Sequence, residues 1–460
     1  MQKRILLVFP PYSMKERYHN DVGENIGGHL PPLGLCYIAA YLEKHGHEVE
    51  IMDCPAHHYT IEDVLKRIRK FQPDIVGLAA VTILVDRAVE ITKAIKNQFS
   101  EVTVIIGGPH PTEMPEETLS VTGCDIVIKG EAEYAFLDIV NETEKNKQQK
   151  IVQGRMVENL DDIPMPARHL VDMSKYSALP NSYKVSENVI QVMTTRGCPY
   201  TCTFCADANG RFRRRSVEKV IAEIKHLQEV YGTKEIAFWD DVFTLNKKWV
   251  LEFCKAVEQE KITLAWSCYS RVDAIDEDIV TAMAKAGCWN MFFGLESGNQ
   301  ELLDNIKKRI TLDMTRKAVA IVKKAGIEVR GSFILGLPGE TPEMGKKTID
   351  FAIEVDPDYA QFSIATPFPG TELYETVDKW GTMNHNYKDF HIFVPVFVPK
   401  GYKDAQELHN MQRLAFKKFY FRPKYMLKRA TKIKNMRDVR RHVKGLQIVL
   451  GMSGLKSGTE

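Results

Sequence analysis

The chain has 460 residues, of which 44% are hydrophobic and 27% charged, and its 62 Lys and Arg against 60 Asp and Glu leave a net charge of +2. These values exclude disorder, a collagen-like rod or a highly charged binding tail as descriptions of the whole, and at roughly 150 residues per domain they allow two or three domains. No run approaches the ~20 apolar residues of a membrane-spanning helix, and the opening MQKRILLVFPP meets two prolines so soon that it reads as a first strand, not a signal peptide.

From Arg4 to about Glu144, short apolar runs alternate with helical patterns. Strands are predicted at Ile5 to Phe9, Val49 to Met52, Ile75 to Ala80, Val102 to Ile106 and Ile126 to Ile128, each followed closely by Pro, Gly, Asp or Thr, as buried parallel strands are. Between them, Leu33 to His45, Ile61 to Phe71 and Val85 to Phe99 carry apolar residues at spacings of three and four. The prediction is an open, doubly wound α/β sheet. In such sheets a ligand lies beyond the carboxyl ends of the strands, which here carry Ala80-Val81-Thr82, Gly107-Gly108-Pro109-His110 and Gly130-Glu131. No GxGxxG follows the first strand, so a dinucleotide site is not indicated.

The order PPLGLCYIAAYLEKHGHEVEIMD, VGLAAVT, VIIGGPHPT and DIVIKGEAE resembles the Rossmann-like cobalamin-binding domain at the amino end of one branch of radical S-adenosylmethionine enzymes. The resemblance implies that the three strand-end segments above bind cobalamin. The Asp-x-His-x-x-Gly string that supplies a cobalt-ligating His in the methionine-synthase type is absent, and none of His19, His29, His45, His47, His57, His58 and His110 has its spacing. Cobalamin is therefore expected base-off with no His on the cobalt, His110 shaping a loop instead.

Residues 146–188 break the pattern with polar runs and DDIPMPARHL, in which Pro164 and Pro166 favour extended backbone, so this stretch reads as a linker. An Asp-x-x-Pro-x-Pro-Ala-Arg stretch is also common before the radical domain of the resembled family.

Nine Cys are present, and three stand within eight residues, Cys198, Cys202 and Cys205 in GCPYTCTFC. They are too close to be an extracellular disulfide framework and suit a reducing cytoplasm. Soft thiolates hold zinc or iron-sulfur clusters. Structural zinc wants four ligands, and no second pair at matching spacing exists, so three thiolates imply an iron left open. They follow the apolar run Val189 to Met193, hence the carboxyl end of a strand, where barrel active sites are built.

This C-x3-C-x2-C string resembles the radical S-adenosylmethionine motif, with Phe204 before the last Cys. The resemblance implies a 4Fe-4S cluster on Cys198, Cys202 and Cys205, S-adenosylmethionine chelating the fourth iron, Phe204 near the adenine, and an electron donor such as flavodoxin or ferredoxin. Further strands are predicted at Ile236 to Trp239, Leu264 to Tyr269, Met291 to Leu295, Val329 to Leu335 and Ala360 to Ala365, with helices between, giving a partial (β/α)6 barrel of the TIM type. Polar groups recur at its strand ends: Asp240-Asp241, Arg271, Glu296-Ser297 and Gly336-Leu337-Pro338-Gly339-Glu340-Thr341. By the resemblance Asp241 lies near the methionine amino group, Glu296 and Ser297 near ribose or methionine, and the Gly336 to Pro338 backbone near adenine. Cys254, Cys268 and Cys288 read as small buried hydrophobes.

From Arg413 to Lys444 thirteen Lys or Arg meet one acid, Asp438, and aromatic residues interleave. Such a helical stretch either packs on the barrel with a solvated face or meets anionic lipid or a phosphorylated substrate. No RNA-binding string accompanies it, so nucleic acid is not expected. The expected organisation is 1–145 cobalamin domain, 146–188 linker, 189–384 radical domain and 385–460 a mostly helical basic segment. The expected protein is a cytoplasmic enzyme, peripheral to the inner membrane if the basic segment meets lipid. It would methylate an unactivated carbon of a small molecule or lipid; the alternatives are cyclisation or ring rearrangement without methyl transfer, as in a porphyrin cyclase, and a cobalamin sensor without turnover.

Overall fold

The computed structural model describes residues 2–13, 16, 28–141 and 149–454; His19 lies outside the described residues. The chain divides into two compact units, the first comprising 1–17, 29–177 and 386–390, the second 18–28, 178–385 and 391–460.

In the first unit, β1 (Arg4–Phe9), β2 (Glu48–Asp53), β3 (Ile75–Ala79), β4 (Thr103–Gly107), β5 (Ile126–Lys129) and β6 (Ile151–Gln153) form one parallel sheet in the order β2-β1-β3-β4-β5-β6. The alternation of side chains along each strand divides the core in two. Leu6, Val8, Val76, Leu78, Val104 and Ile106 pack on one face against α2 (Ile61–Phe71) and α3 (Val85–Gln98). Ile5, Leu7, Ile75, Ile105 and Ile128 pack on the other against α1 (Leu33–Lys44) and α6 (Glu133–Asn141). Between these helices run α4 (Pro109–Glu113) and α5 (Pro115–Thr122). The sheet is thus doubly wound, as the sequence predicts, but with a sixth strand. That strand and the chain as far as Ser177 belong to the first unit although the sequence reads them as linker: Ile151 to Gln153 pair with Val127 to Lys129, and Tyr176 donates its hydroxyl to Asp53 at 2.8 Å.

In the second unit β7 (Ile190–Val192), β8 (Glu235–Phe238), β9 (Ala265–Ser270), β10 (Cys288–Glu296), β11 (Glu328–Leu335) and β12 (Tyr359–Ile364) are parallel and adjacent in chain order, with β7 and β12 as the outermost strands of the arc. This is a partial barrel. The crossovers contain α7 (Val217–Tyr231), α8 (Lys247–Gln259), α9 (Glu277–Lys285), α10 (Leu312–Lys324) and α11 (Pro342–Val355). Their starts are set locally: Ser216, Asn246, Asp276, Thr311 and Thr341 each accept a backbone N–H in the first helical turn, contacts worth about 1 kcal/mol apiece.

Three longer helices follow, α12 (Ala405–Tyr420), α13 (Pro423–Ala430) and α14 (Met436–Met452). Many of their cations are spent within the protein. Arg422 and Lys428 pair with Asp356, Lys432 with Glu328 and Asp358, and Lys444 with Glu187. The packed-helix reading of the basic segment therefore describes much of it. No helix among the described residues is long and apolar enough to cross a membrane.

Candidate functional site

The cysteine loop leaves the carboxyl end of β7 and is clamped at its base. Thr195–Arg196 pair antiparallel with Arg213–Arg214, and Gly197 sits at φ 82° where an added Cβ would stand 2.3 Å from the Arg211 carbonyl. Asp240, at the end of the neighbouring β8 and only 2% exposed, accepts four hydrogen bonds of 2.6–2.9 Å from the backbone N–H and hydroxyl groups of Thr194 and Thr195. The far end is held by Thr203, whose N–H reaches the Ile306 carbonyl and whose carbonyl accepts from Leu373. Strand order alone makes these neighbours.

Cys198, Cys202 and Cys205 line one cavity of about 400 Å³ at the carboxyl ends of the strands, with Phe204, Asp241, Glu296 and Lys308. Its walls also include Trp239, Tyr269 and Phe292. Burial pushes the Cys205 thiol up to about 12, and the Cys198 thiol is also raised by burial, so ligation by a Lewis-acidic cation would be what displaces these protons. Among the described residues no three Cys, His, Asp or Glu converge on the position of a single ion. The cavity lining holds these three Cys and no His, one ligand short of what structural zinc wants, so the donor set fits a cluster with one iron left open.

Arg271, at the end of β9, stacks its guanidinium over the Tyr200 ring at 3.6 Å and is held by Asp273 through two 2.9 Å hydrogen bonds. Its remaining Nη1 donates toward the Cys202 sulfur at 3.8 Å. Glu296 is 4% exposed, at φ 58°, and its Oε1 accepts from Lys308 Nζ at 2.6 Å. Gly294 makes room for this pair: a Cβ there would stand 2.2 Å from Glu296 Oε1 and 2.8 Å from Lys308 Nζ. Asp241 is exposed on the cavity wall, and desolvation by its surroundings, then the carboxylates of Asp207 and Asp240, push it up to about 7.

Three residues expected at the site are placed elsewhere. Ser297 is fully buried behind the wall, where its hydroxyl meets Thr348 at 3.1 Å, because the left-handed turn at Glu296 sends the two side chains apart. Gly336 and Pro338 do not line the cavity; a Cβ on Gly336 would strike Leu408, and the Pro338 carbonyl accepts from Asn305. Lys308 and Tyr200 belong to the site and were not singled out from sequence. Cys254, Cys268 and Cys288 are buried as expected, their surroundings raising the first two thiols.

The Gly-Leu-Pro-Gly-Glu loop is held from within by Glu340, which is fully buried, accepts from the Gly336 N–H at 2.8 Å and the Tyr402 hydroxyl at 2.7 Å, and leaves Oε2 without a partner. Burial pushes its carboxyl up to about 7 from 4.5. The folded state therefore binds a proton the unfolded chain releases, and stability from this group, complete below about pH 4.5, is lost as pH rises through about 7. Glu340→Gln is expected to remove that loss, making the variant more stable than the parent by about 3 kcal/mol at pH 8. Denaturant melts of both proteins at pH 5, 6.5 and 8 check this; parallel curves would contradict it.

In the first unit the predicted strand-end segments lie at β3, β4 and β5, three adjacent strands. Gly108, at φ 121°, has the Ala80 carbonyl 2.7 Å from where a Cβ would stand, and the Gly130 N–H donates to Thr112. Glu131 accepts from the Val157 N–H. His110 falls in α4, a short helix where a loop was expected, and is 1% exposed beside Thr82, with Nε2 lacking a hydrogen-bond partner and burial pushing the ring down to about 4. A narrow backbone edge with little side-chain bulk, at Gly107, Gly108 and Gly130, fits a large flat ligand. Gly108→Ala is expected to cost about 1–3 kcal/mol by left-handed strain and this collision, read as a lower melting temperature of the full chain.

An open six-stranded arc with three thiols on the loop after its first strand defines a radical S-adenosylmethionine enzyme. Family models agree: residues 192–352 match the radical SAM superfamily and residues 20–140 the B12 binding domain. The chain is 37% identical over 445 residues to an uncharacterised methyltransferase of Pyrococcus horikoshii, covering 92% of this chain and 94% of that protein. It is 26% identical over 460 residues to the anaerobic magnesium-protoporphyrin IX monomethyl ester cyclase of Rubrivivax gelatinosus, covering 94% and 80%. The solved structure of OxsB, a cobalamin-dependent S-adenosylmethionine radical enzyme with aqua-cobalamin and S-adenosylmethionine bound, superposes with a TM-score of 0.74 at 16% identity over 97% of this chain and 71% of that one. The chain belongs to the cobalamin-dependent radical S-adenosylmethionine enzymes.

Proposed function

We propose that this enzyme transfers a methyl group to an unactivated carbon of a small-molecule or lipid substrate. The observation that carries the reading is the sharing of one cavity by three thiols, three carboxylates and an aromatic wall. When bound, a 4Fe-4S cluster supplies the electron that cleaves S-adenosylmethionine and cobalamin supplies the methyl group. Cys198, Cys202 and Cys205 would hold the cluster. Arg271 directs an N–H at the Cys202 sulfur, which lowers electron density there and favours reduction. Asp241 would face the methionine amino group, Glu296 with Lys308 the methionine or ribose, and Phe204 the adenine. Trp239, Tyr269 and Phe292, the aromatic part of the cavity wall, would keep water from a bound substrate.

Ala80, Val81, Thr82, Gly107, Gly108, Pro109, His110, Gly130 and Glu131 would receive cobalamin base-off. The only one of them with an imidazole, His110, is tucked beneath the edge against Thr82 and the Tyr387 ring, 5.0 Å between ring centres, rather than on its surface. The electron paramagnetic resonance spectrum of cob(II)alamin on the protein is expected to lack nitrogen splitting from an axial ligand; such splitting, lost in His110→Ala, would overturn the missing-ligand reading. A reducing cytoplasm and a donor such as flavodoxin or ferredoxin go with the thiolates and the electron they need.

Methyl transfer of this kind consumes two S-adenosylmethionine molecules, one cleaved to 5'-deoxyadenosine and one demethylated to S-adenosylhomocysteine. Cluster-loaded protein given cobalamin, a reductant, methyl-deuterated S-adenosylmethionine and a cell extract is expected to form both, with label in an extract molecule. The cyclase relative favours a second reading, cyclisation without methyl transfer; 5'-deoxyadenosine without S-adenosylhomocysteine or label would establish that instead.

A further inference from the structure

A second cavity, of about 370 Å³, lies in the second unit between α12, α13, α14 and the start of β12. It is at the amino end of a strand whose sheet carries the cysteine loop at carboxyl ends, and shares no lining residue with that site. Its volume is that of a small-molecule site. Its wall is mostly apolar, with Phe416, Tyr425 and Val449 among it, and Met426 and Leu446 at its rim are 55% and 50% exposed.

Two features set it apart from a packing defect. Arg441 lines it at 8% exposure, donates Nη1 to the Tyr183 carbonyl at 2.8 Å, and has no hydrogen-bond partner for Nε. No carboxylate pairs with Arg441 among the described residues, in contrast to its neighbours Lys428, Arg429 and Lys432. His442 beside it leaves a buried Nε2 unpartnered, and Arg429 Nη1, 3.6 and 3.8 Å from Glu328 and Asp358, makes no hydrogen bond. A buried cation without its counter-charge is costly. The second feature is Gly445, inside α14 and part of the cavity wall, where glycine costs about 1 kcal/mol against alanine; nothing lies within 4 Å of the position its Cβ would take, so no clash accounts for the glycine.

We propose that this cavity binds a single-chain anionic amphiphile, its aliphatic chain among the apolar side chains and its carboxylate or phosphate on Arg441. The site is independent of the catalytic reading. The anion completes the charge at Arg441, and the chain covers apolar surface that the three helices leave open. Both a free fatty acid and one chain of a membrane lipid have this chemistry.

The test titrates the full-length, cluster-loaded enzyme with dodecanoate and dodecyl phosphate against dodecanol, by calorimetry below their micellar concentrations. The anions are expected to bind at least about ten-fold more tightly than the alcohol, the worth of a charge-assisted hydrogen bond. Gly445→Phe, which fills the cavity and adds no helix-breaking residue, is expected to abolish this binding with iron content and S-adenosylmethionine cleavage unchanged. Arg441→Gln is expected to bring the anions down to the affinity of the alcohol. Equal binding of anion and alcohol, or undiminished binding by Gly445→Phe, overturns the proposal. Co-sedimentation with vesicles containing phosphatidylglycerol but not with pure phosphatidylcholine, lost in Gly445→Phe, assigns the occupant to a membrane lipid. Binding of soluble dodecanoate without co-sedimentation assigns it to a free amphiphile, and absence of both overturns the site.

Discussion

Cys202→Ala is expected to reduce bound iron to background and to end formation of 5'-deoxyadenosine, while cobalamin still binds the first unit. Cys202 is 7% exposed on the wall of the thiol cavity, and alanine fills nearly the same space, so the substitution removes a ligand rather than a piece of core. The loop does not depend on it for position, since Asp240 and the Thr195–Arg196 pairing hold the base and Thr203 the far end. Iron and sulfide assays on anaerobically reconstituted protein, with the visible spectrum of bound cobalamin as the control for folding, check this. Full iron and undiminished cleavage in the variant would mean that the cluster sits elsewhere.

Lys308→Met is expected to destabilise the second unit by about 3–5 kcal/mol, because it leaves the Glu296 carboxylate buried with its charge partner removed. Glu296 and Lys308 side chains are 6% and 8% exposed, so water cannot replace the lost ammonium. The double variant Glu296→Gln with Lys308→Met is expected to recover most of that loss, as replacing a whole buried pair is often neutral. If the pair also receives S-adenosylmethionine, the double variant will fold yet bind it weakly. Guanidinium melts and equilibrium binding of S-adenosylmethionine separate the two roles; a single variant as stable as the parent would show that the pair contributes little to stability.

What could be read in the sequence were features that repeat or stand in tight local order. Eleven of the twelve strands of the two sheets follow apolar runs bounded by turn residues, and the thiol triad is a local string. The sixth strand of the first sheet escaped because Ile151–Gln153 is three residues long within a polar stretch and is a strand only through its pairing with β5. Lys308 escaped because a lysine in IKKRI looks like any solvated lysine until β10 places Glu296 against it. Ser297 was misplaced because adjacency in sequence says nothing of direction once the intervening backbone turns left-handed. The basic segment looked unpartnered because its acids, Glu328, Asp356 and Asp358, lie far upstream in the chain, around the amino ends of β11 and β12.

The four hydrogen bonds to Asp240 have a consequence for the life of the protein in air. Small metal domains often fold only when the metal arrives, so losing it unravels them. Here a buried carboxylate just past a core strand, rather than the metal, ties down the base of the thiol loop. Oxygen damage to the iron would therefore leave a finished cradle behind, ready to be refilled without passing through the unfolded chain.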